Sequence, residues 1–388
     1  MFFNFLKKHK VLQLQIIRSE TIIHLILLAL SFISIVKCKI FGVKSCTYSI
    51  SLPNSNGELD FRGKYITDFI DLKKNLNVVR STSFINSIKF YFKNPNVIFF
   101  LSIKYFFYNR KYIKLKKKDN QFIKIDKKLK KIFEKIFLFL EIKKFISIDD
   151  QRIISLFLEI CEFNKIKSIG YMHYRFDETY KIMKIKSFDI FFVWSSFFKK
   201  KLIKINRNYI KKKIFITGIE RFKFNSKKKI IDLLIILDLN SDYKFLFKLS
   251  KSLKKKGFQL AIKFKPSSIR NNKKWINFCQ KNGFMFFESD TFRQIRSQYT
   301  INFFLAHSST ALYESCLYGA EPLIVKNQSK LALNILKENL IRSTEKNVMQ
   351  IFNIIKKKPS QKNINNQINK FWGKERINAK KIKMILNQ

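Results

Sequence analysis

Acid is scarce in this chain of 388 residues: 27 Asp and Glu stand against 78 Lys and Arg, a formal charge of +51. Such an excess points to an anionic partner, because a basic surface binds phosphate backbones by releasing their counterions. Arginine is scarce too, at 13 of the 78 basic residues. It is the side chain suited to bidentate contacts with phosphates and base edges, so a lysine surplus spread along the whole chain argues against nucleic acid. The accompanying surplus of Phe, Ile and Asn is the pattern of A/T-biased codon usage. Anionic lipid headgroups suit the surface better. The five cysteines (Cys38, Cys46, Cys161, Cys279, Cys316) form an odd set without a CxxC spacing, which excludes a disulfide framework and a zinc knuckle and predicts reduced thiols in a cytoplasmic protein.

Long apolar runs are also missing. The longest near the N-terminus, TIIHLILLALSFISIV at 21–36, follows KKHK at 7–10 and contains His24. It falls short of the ~20 residues of a membrane span and lacks a small-residue cleavage site. The expectation is a buried element of the first domain, or an interfacial helix. The lysine–aromatic stretch that follows, at 81–118, reads as amphipathic core helix with snorkelling lysines, although such interleaving also suits a membrane interface or stacked bases.

What the chain does have is length for two domains and a hydrophobic content of 46%. In the second half, DLLIILDL, FQLAIKF, FMFFE, TINFFLA and PLIV alternate with helical spacings such as YKFLFKLSKSLKKKG and NNKKWINFCQKNG. Short apolar runs between glycine-terminated helices specify βα units and a parallel sheet covered on both faces. The first half repeats the scheme in KKFISI, KIKSIGYM, SFDIFFVW and KKIFITG. The expected architecture is α/β, with an N-terminal domain over 1–222 and a C-terminal one over 223–388.

Open parallel sheets bind ligands beyond the carboxyl ends of their strands. The segment LAHSSTALYESCLYG at 305–319 meets that requirement. Ser308 or Ser309 would cap the helix, and the amides of Ser309, Thr310 and Ala311 would face an anion. Glu314, one turn further on, could accept the hydroxyls of a ribose. An ordinary N-cap would use the same residues. AIKFKP at 261–266 ends another strand and delivers Lys263 and Lys265 just before Pro266.

The order FITGIERF, IKFKP, HSSTALYESCLYGAEPLIV resembles the C-terminal half of GT-B glycosyltransferases that build bacterial surface carbohydrates such as capsule and lipopolysaccharide. It is also similar to sialyltransferase-like and polyglycerophosphate-transferase-like families. The resemblance implies two Rossmann-like domains whose parallel sheets face a central cleft, and no cofactor or metal beyond a nucleotide-sugar donor. Lys263, Lys265 and Pro266 match the family's Lys-x-His-Pro with lysine in place of histidine, so phosphate binding is kept and proton transfer is not. Ser308, Ser309, Thr310 and Glu314 match the phosphate and ribose motif, followed by Gly319 and Pro322; Thr217, Gly218 and Arg221 match Thr-Gly-x-x-Arg. Met172, His173 and Tyr174 stand where the family has Gln-His-Gly.

By position, Asp149, Asp150 and His173 are the candidate bases toward an acceptor hydroxyl, while Asp150 also reads as a helix cap. His307 ends its strand at the proposed cleft. The expected activity is sugar transfer from an activated nucleotide to a surface polysaccharide or lipid-linked acceptor, by a cytoplasmic enzyme peripheral to the inner face of the plasma membrane. The competing readings are a noncatalytic basic module that binds membrane or nucleic acid, a sugar-nucleotide epimerase of the same fold, and an inactive transferase.

Overall fold

Runs of three to eight residues such as IFFV (190–193) and EPLIV (321–325), buried along their whole length, form the strands of two all-parallel sheets. Parallel strands are buried on both faces and therefore read as continuous apolar runs. The computed structural model describes residues 10–49, 70–79, 84–103, 119–147, 152–172, 186–218, 229–237, 241–264, 269–288, 290, 292–309, 311–327, 330–336, 341–373 and 379–387.

The first unit opens with α1 (Lys10–Ile40) and β1 (Ser45–Ser49), then β2 (Leu76–Val79), α2 (Phe84–Lys93), β3 (Val97–Phe99) and α3 (Asp119–Phe139). It continues with β4 (Lys144–Ser147), α4 (Arg152–Phe163), β5 (Lys167–Tyr171), β6 (Ile190–Val193), α5 (Ser196–Ile205) and β7 (Lys213–Ile216). Its seven strands lie in the order β3-β2-β1-β4-β5-β6-β7. The second unit runs β8 (Lys229–Ile236), α6 (Tyr243–Lys255), β9 (Leu260–Lys263), α7 (Ile269–Asn282), β10 (Met285–Phe287), α8 (Phe292–Gln298), β11 (Tyr299–Ala306), α9 (Ala311–Glu314), β12 (Glu321–Val325), α10 (Lys330–Leu336), β13 (Arg342–Thr344) and α11 (Val348–Lys356). Its six strands order as β10-β9-β8-β11-β12-β13.

Both sheets start in the middle and grow outward in two directions. The reversal falls between β1 and β4 in the first sheet and between β8 and β11 in the second. At such a switch point the connections leave on opposite faces and open a crevice beyond the strand ends.

The chain's end joins the two units. After α12 (Gln361–Gln367) a π-turn places Trp372 against Trp194, with ring centroids 5.5 Å apart, while its indole N–H donates to the Tyr313 carbonyl at 3.0 Å. The Ser195 hydroxyl donates to the Phe371 carbonyl beside it. The last helix, α13 (Ala379–Asn387), buries Ile382, Ile385 and Leu386 against Ile146, Ile169 and Phe192 of the first sheet. Residues 379–387 thus lie on the first unit although they follow the second in sequence.

Helix α1 is longer than its sequence suggests. It spans 31 residues, and the 20 from Thr21 to Ile40 are long and apolar enough to cross a membrane by length and composition. Its inner face packs on the edge strand β3: the Phe99 amide donates to Ser31 Oγ at 3.0 Å, and the Ser34 hydroxyl donates to the Pro95 carbonyl at 2.7 Å. The stretch at 81–118 is not one amphipathic helix: α2 and β3 fall within its described part, and residues 81–83 and 104–118 lie outside the described residues.

Because Trp372 is fully buried where the two units meet, Trp372→Ala should remove about 3–5 kcal/mol. A urea titration reads this as a fall in the transition midpoint; an unchanged midpoint would mean that this cluster does not hold the units together.

Candidate functional site

Register places the ends of the central strands at one height. Ile236 of β8 pairs with Lys263 of β9, Ala306 of β11 with Ile324 of β12, and Ile235 of β8 with Leu305 of β11. Lys263 and Ala306 are therefore level, two strands or about 10 Å apart. The residues after Ala306 emerge at the β8/β11 switch point.

His307 comes first and is buried. Its Nε2 accepts from the Asp242 amide, at 3.4 Å, across the switch point, which in the neutral ring leaves the proton on Nδ1. The Asn327 side chain, beyond β12, donates to the His307 carbonyl at 2.9 Å. Asp242 also caps α6 by accepting from the Phe245 amide at 3.1 Å, and it holds Lys346 Nζ, beyond β13, at 2.8 Å. The Lys346 hydrogen bond, with the Phe245 amide, lowers the Asp242 carboxyl below its ordinary value. Four loops from four strands are tied together here. The His307 ring is packed inside this network.

Ser309 is the cap. Its Oγ accepts from the Ala311 amide at 3.2 Å, and its carbonyl accepts from Leu312 at 3.2 Å. The Ala311 amide is engaged by that hydroxyl, which keeps its own proton to donate. Ser308 is buried. The helix expected through LYESCLYG is α-helical only over α9 and tightens to a 3₁₀ turn over Ser315–Tyr318, ending at Gly319 with φ 74°. Only glycine adopts that left-handed angle without strain. Glu314, the last residue of α9, is half-buried, and burial pushes its carboxyl up from 4.5 to about 7.

Lys263 is buried at the end of β9, and its ammonium donates to the carbonyls of Phe264 at 2.9 Å and Glu288 at 3.1 Å. It therefore leans toward β10, away from β11, where the sequence alone suggested an ammonium pair beside Ser308. Burial lowers it to about 8, opposed by the charge of Asp290. Lys265, Pro266 and Thr310 lie outside the described residues.

Gly218 follows β7 at a left-handed φ of 73°, after Thr217, whose amide donates to the Val193 carbonyl at 2.8 Å. Arg221 is outside the described residues, as are Asp149, Asp150 and His173. In chain order, the two aspartates directly follow β4, which borders the first sheet's switch point, and His173 follows β5.

Sequence reasoning missed Asp242, Asn327 and Lys346. Asp242 carried a legible signal, an aspartate before a helix-period run. The other two have none, since only the fold brings them to His307.

The raised pKa of Glu314 links stability to pH. A carboxyl whose folded pKa exceeds its unfolded one stabilises fully below the unfolded value, and that contribution is lost as pH rises through the folded value. Between pH 5 and 8, wild type should lose on the order of 2 kcal/mol relative to Glu314→Gln, which cannot ionise. Paired thermal melts at the two pH values measure this, and a constant gap would count against a buried carboxyl.

No family model and no curated protein matches the sequence. Solved structures do match the fold. Arabidopsis thaliana UGT89C1 complexed with UDP superposes with a TM-score of 0.54 at 9% identity, over 88% of this chain and 98% of that one. The glycotransferase of kitacinnamycin gives 0.52 at 8%, over 88% and 98%. A UDP-N-acetylglucosamine 2-epimerase gives 0.50 at 11%, over 88% and 93%. At these identities the likeness establishes architecture, and it agrees with the two all-parallel sheets: the chain has the GT-B fold, two Rossmann-like domains.

Proposed function

We propose that this chain is a nucleotide-sugar-dependent glycosyltransferase that transfers a sugar to a surface polysaccharide or lipid-linked acceptor. The observation that carries the reading is the setting of Ser308, Ser309 and Glu314 on one loop and turn at the β8/β11 switch point, in a fold shared with UGT89C1 complexed with UDP and with the glycotransferase of kitacinnamycin. In this reading the donor belongs to the second unit, within residues 223–388 but for the helix at 379–387 that packs on the first sheet, and the acceptor to residues 1–222, with the enzyme at the inner face of the plasma membrane.

The residues divide the work by chemistry. The Ser309 hydroxyl, still a donor, and nearby amides offset the charge that grows on the leaving phosphate, an electrostatic role that requires no metal. Lys265 and Arg221 are the cations that the motifs add; Lys263, bonded to two carbonyls, stiffens the end of β9. Ionised Glu314 accepts the two ribose hydroxyls. Its carboxyl is close to half protonated near pH 7 when the site is empty, so nucleotide binding releases a proton. Asp149, Asp150 or His173 takes the proton of the acceptor hydroxyl. Closure of the cleft excludes water, which would otherwise hydrolyse the donor.

Epimerisation is the second reading, favoured by the 2-epimerase among the similar folds. It needs no acceptor. Incubating each nucleotide sugar with and without a lipid-linked glycan, followed by NMR of the sugar, separates the two: acceptor-dependent loss of donor marks transfer, and a new sugar isomer without acceptor marks epimerisation.

The site itself is tested by calorimetry with CMP, UDP, GDP and CDP. One of them should bind, with affinity rising up to about tenfold from pH 6 to 8 as Glu314 ionises. Glu314→Gln should abolish that rise, and Ser309→Ala should weaken binding about tenfold through loss of one hydrogen bond to a charged group. Absence of binding by all four, or indifference to both substitutions, overturns the proposal.

A further inference from the structure

Among the described residues, the outer face of α1 from Ile22 onward is left uncovered. Its inner stripe, Leu27, Ser31, Ser34 and Cys38, is buried against the first unit. The opposite stripe, Ile22, Leu25, Ile26, Phe32, Ile33 and Val36, is exposed, with Phe32 at 66%. It continues through Ile40 to Phe41, which is 76% exposed. Steps of three and four residues keep these side chains on one helical face. A continuous apolar face of this extent on a globular unit marks an interaction surface.

Charge decides what that surface meets. From Thr21 to Lys44 there is no acidic residue, while Lys37, Lys39 and Lys44 cluster at the helix end. Glu141 pairs with Lys39 at 2.9 Å and Lys44 at 2.5 Å, leaving this end net positive. The neighbouring α2, which shares a core cluster with α1 through Phe90 and Leu27, likewise has no acid and exposes Ile85, Lys89, Phe92 and Lys93 at helical spacing. Apolar side chains bordered by lysines match an anionic bilayer, whose acyl boundary takes the former and whose headgroups take the latter. A second copy of this chain is the poorer match, because each copy carries +51.

The anchoring of α1 decides how it meets the bilayer. His24 Nδ1 lies 3.2 Å from Ser102 Oγ, Ser31 Oγ accepts the Phe99 amide, and the Ser34 hydroxyl holds the Pro95 carbonyl. To cross a membrane the helix would have to leave β3, strand these polar groups and carry the half-buried His24 and the buried Ser31 and Ser34 into hydrocarbon. We infer that α1 stays on the first sheet and lies flat in the interface of an anionic membrane, with its Ile22–Phe41 face in the acyl boundary and the lysines of α1 and α2 at the headgroups. This contact is independent of what the crevice binds.

The full chain is tested by co-sedimentation with phosphatidylcholine vesicles, with and without phosphatidylglycerol at about a third of the lipid. Binding should be at least about tenfold tighter to the anionic vesicles and fall with salt. Phe32→Ser and Phe41→Ser, both exposed positions, should each weaken it several-fold with unchanged thermal melting, whereas Phe163→Ser, at another exposed phenylalanine on α4, should not. Bound protein should be released by alkaline carbonate. Three results overturn the inference: equal or absent binding to both vesicles, retention through carbonate as for a spanning helix, or a concentration-dependent dimer in solution that Phe32→Ser dissolves.

Discussion

Parallel pairing governs this molecule. Each βα unit must return its chain to the same edge before the next strand begins, so every strand of a sheet ends on one side and every face must be covered by helix. The sheets then place chemistry without further instruction. Loops that are far apart in sequence, after β8, β11, β12 and β13, gather at one edge, where His307, Asp242, Asn327 and Lys346 are bonded in a chain. A switch in strand order opens the crevice between the first two of those strands. Polar residues at strand ends become a site because their neighbours in space are other strand ends.

How far this could be read from the sequence depended on where the burial signal was strong. β9, β10 and β11 lay where apolar runs and helix-ending glycines placed them, since a strand buried on both faces has no polar alternation to blur it. β1 and β2 were not legible. Ser45, Thr47 and Ser49 interrupt β1, and Asn77 sits in the middle of β2, a residue that disfavours strand. The fold accommodates them by pairing: Thr47 donates to Asn77 at 2.7 Å, and the Asn77 amide reaches the carbonyls of Leu72, Asn75 and Asn96. The same holds for Glu321, a buried carboxylate in β12 that meets the Ser360 amide at 2.8 Å and Arg342 at 3.2 Å. Only tertiary neighbours make such residues tolerable, so one-dimensional patterns read them as loop.

At the site, the legible part was local and the illegible part relational. The Ser309 cap and the Gly319 stop follow from residue type and spacing alone. The direction of the Lys263 ammonium does not: a lysine at a strand end can lean either way, and here two carbonyls on the β10 side decide it. The short αL-terminated turn also differs from a regular helix for a packing reason. Leu312, Tyr313, Cys316 and Leu317 are all buried on it, and Tyr313 must present its carbonyl to Trp372, which ties this turn to the interface between units.

That tie relates the two ends of the first sheet to each other. α1 covers the β3 edge, whereas β7, from which the chain passes to the second unit, forms the opposite edge, six strand spacings or about 29 Å away. The crevice-facing loops lie along the carboxyl side between them. A bilayer held against α1 would touch neither the β7 edge nor the Trp194–Trp372 cluster on which the second unit rests. The apolar face of α1 and the joint between the units therefore lie near opposite edges of one sheet.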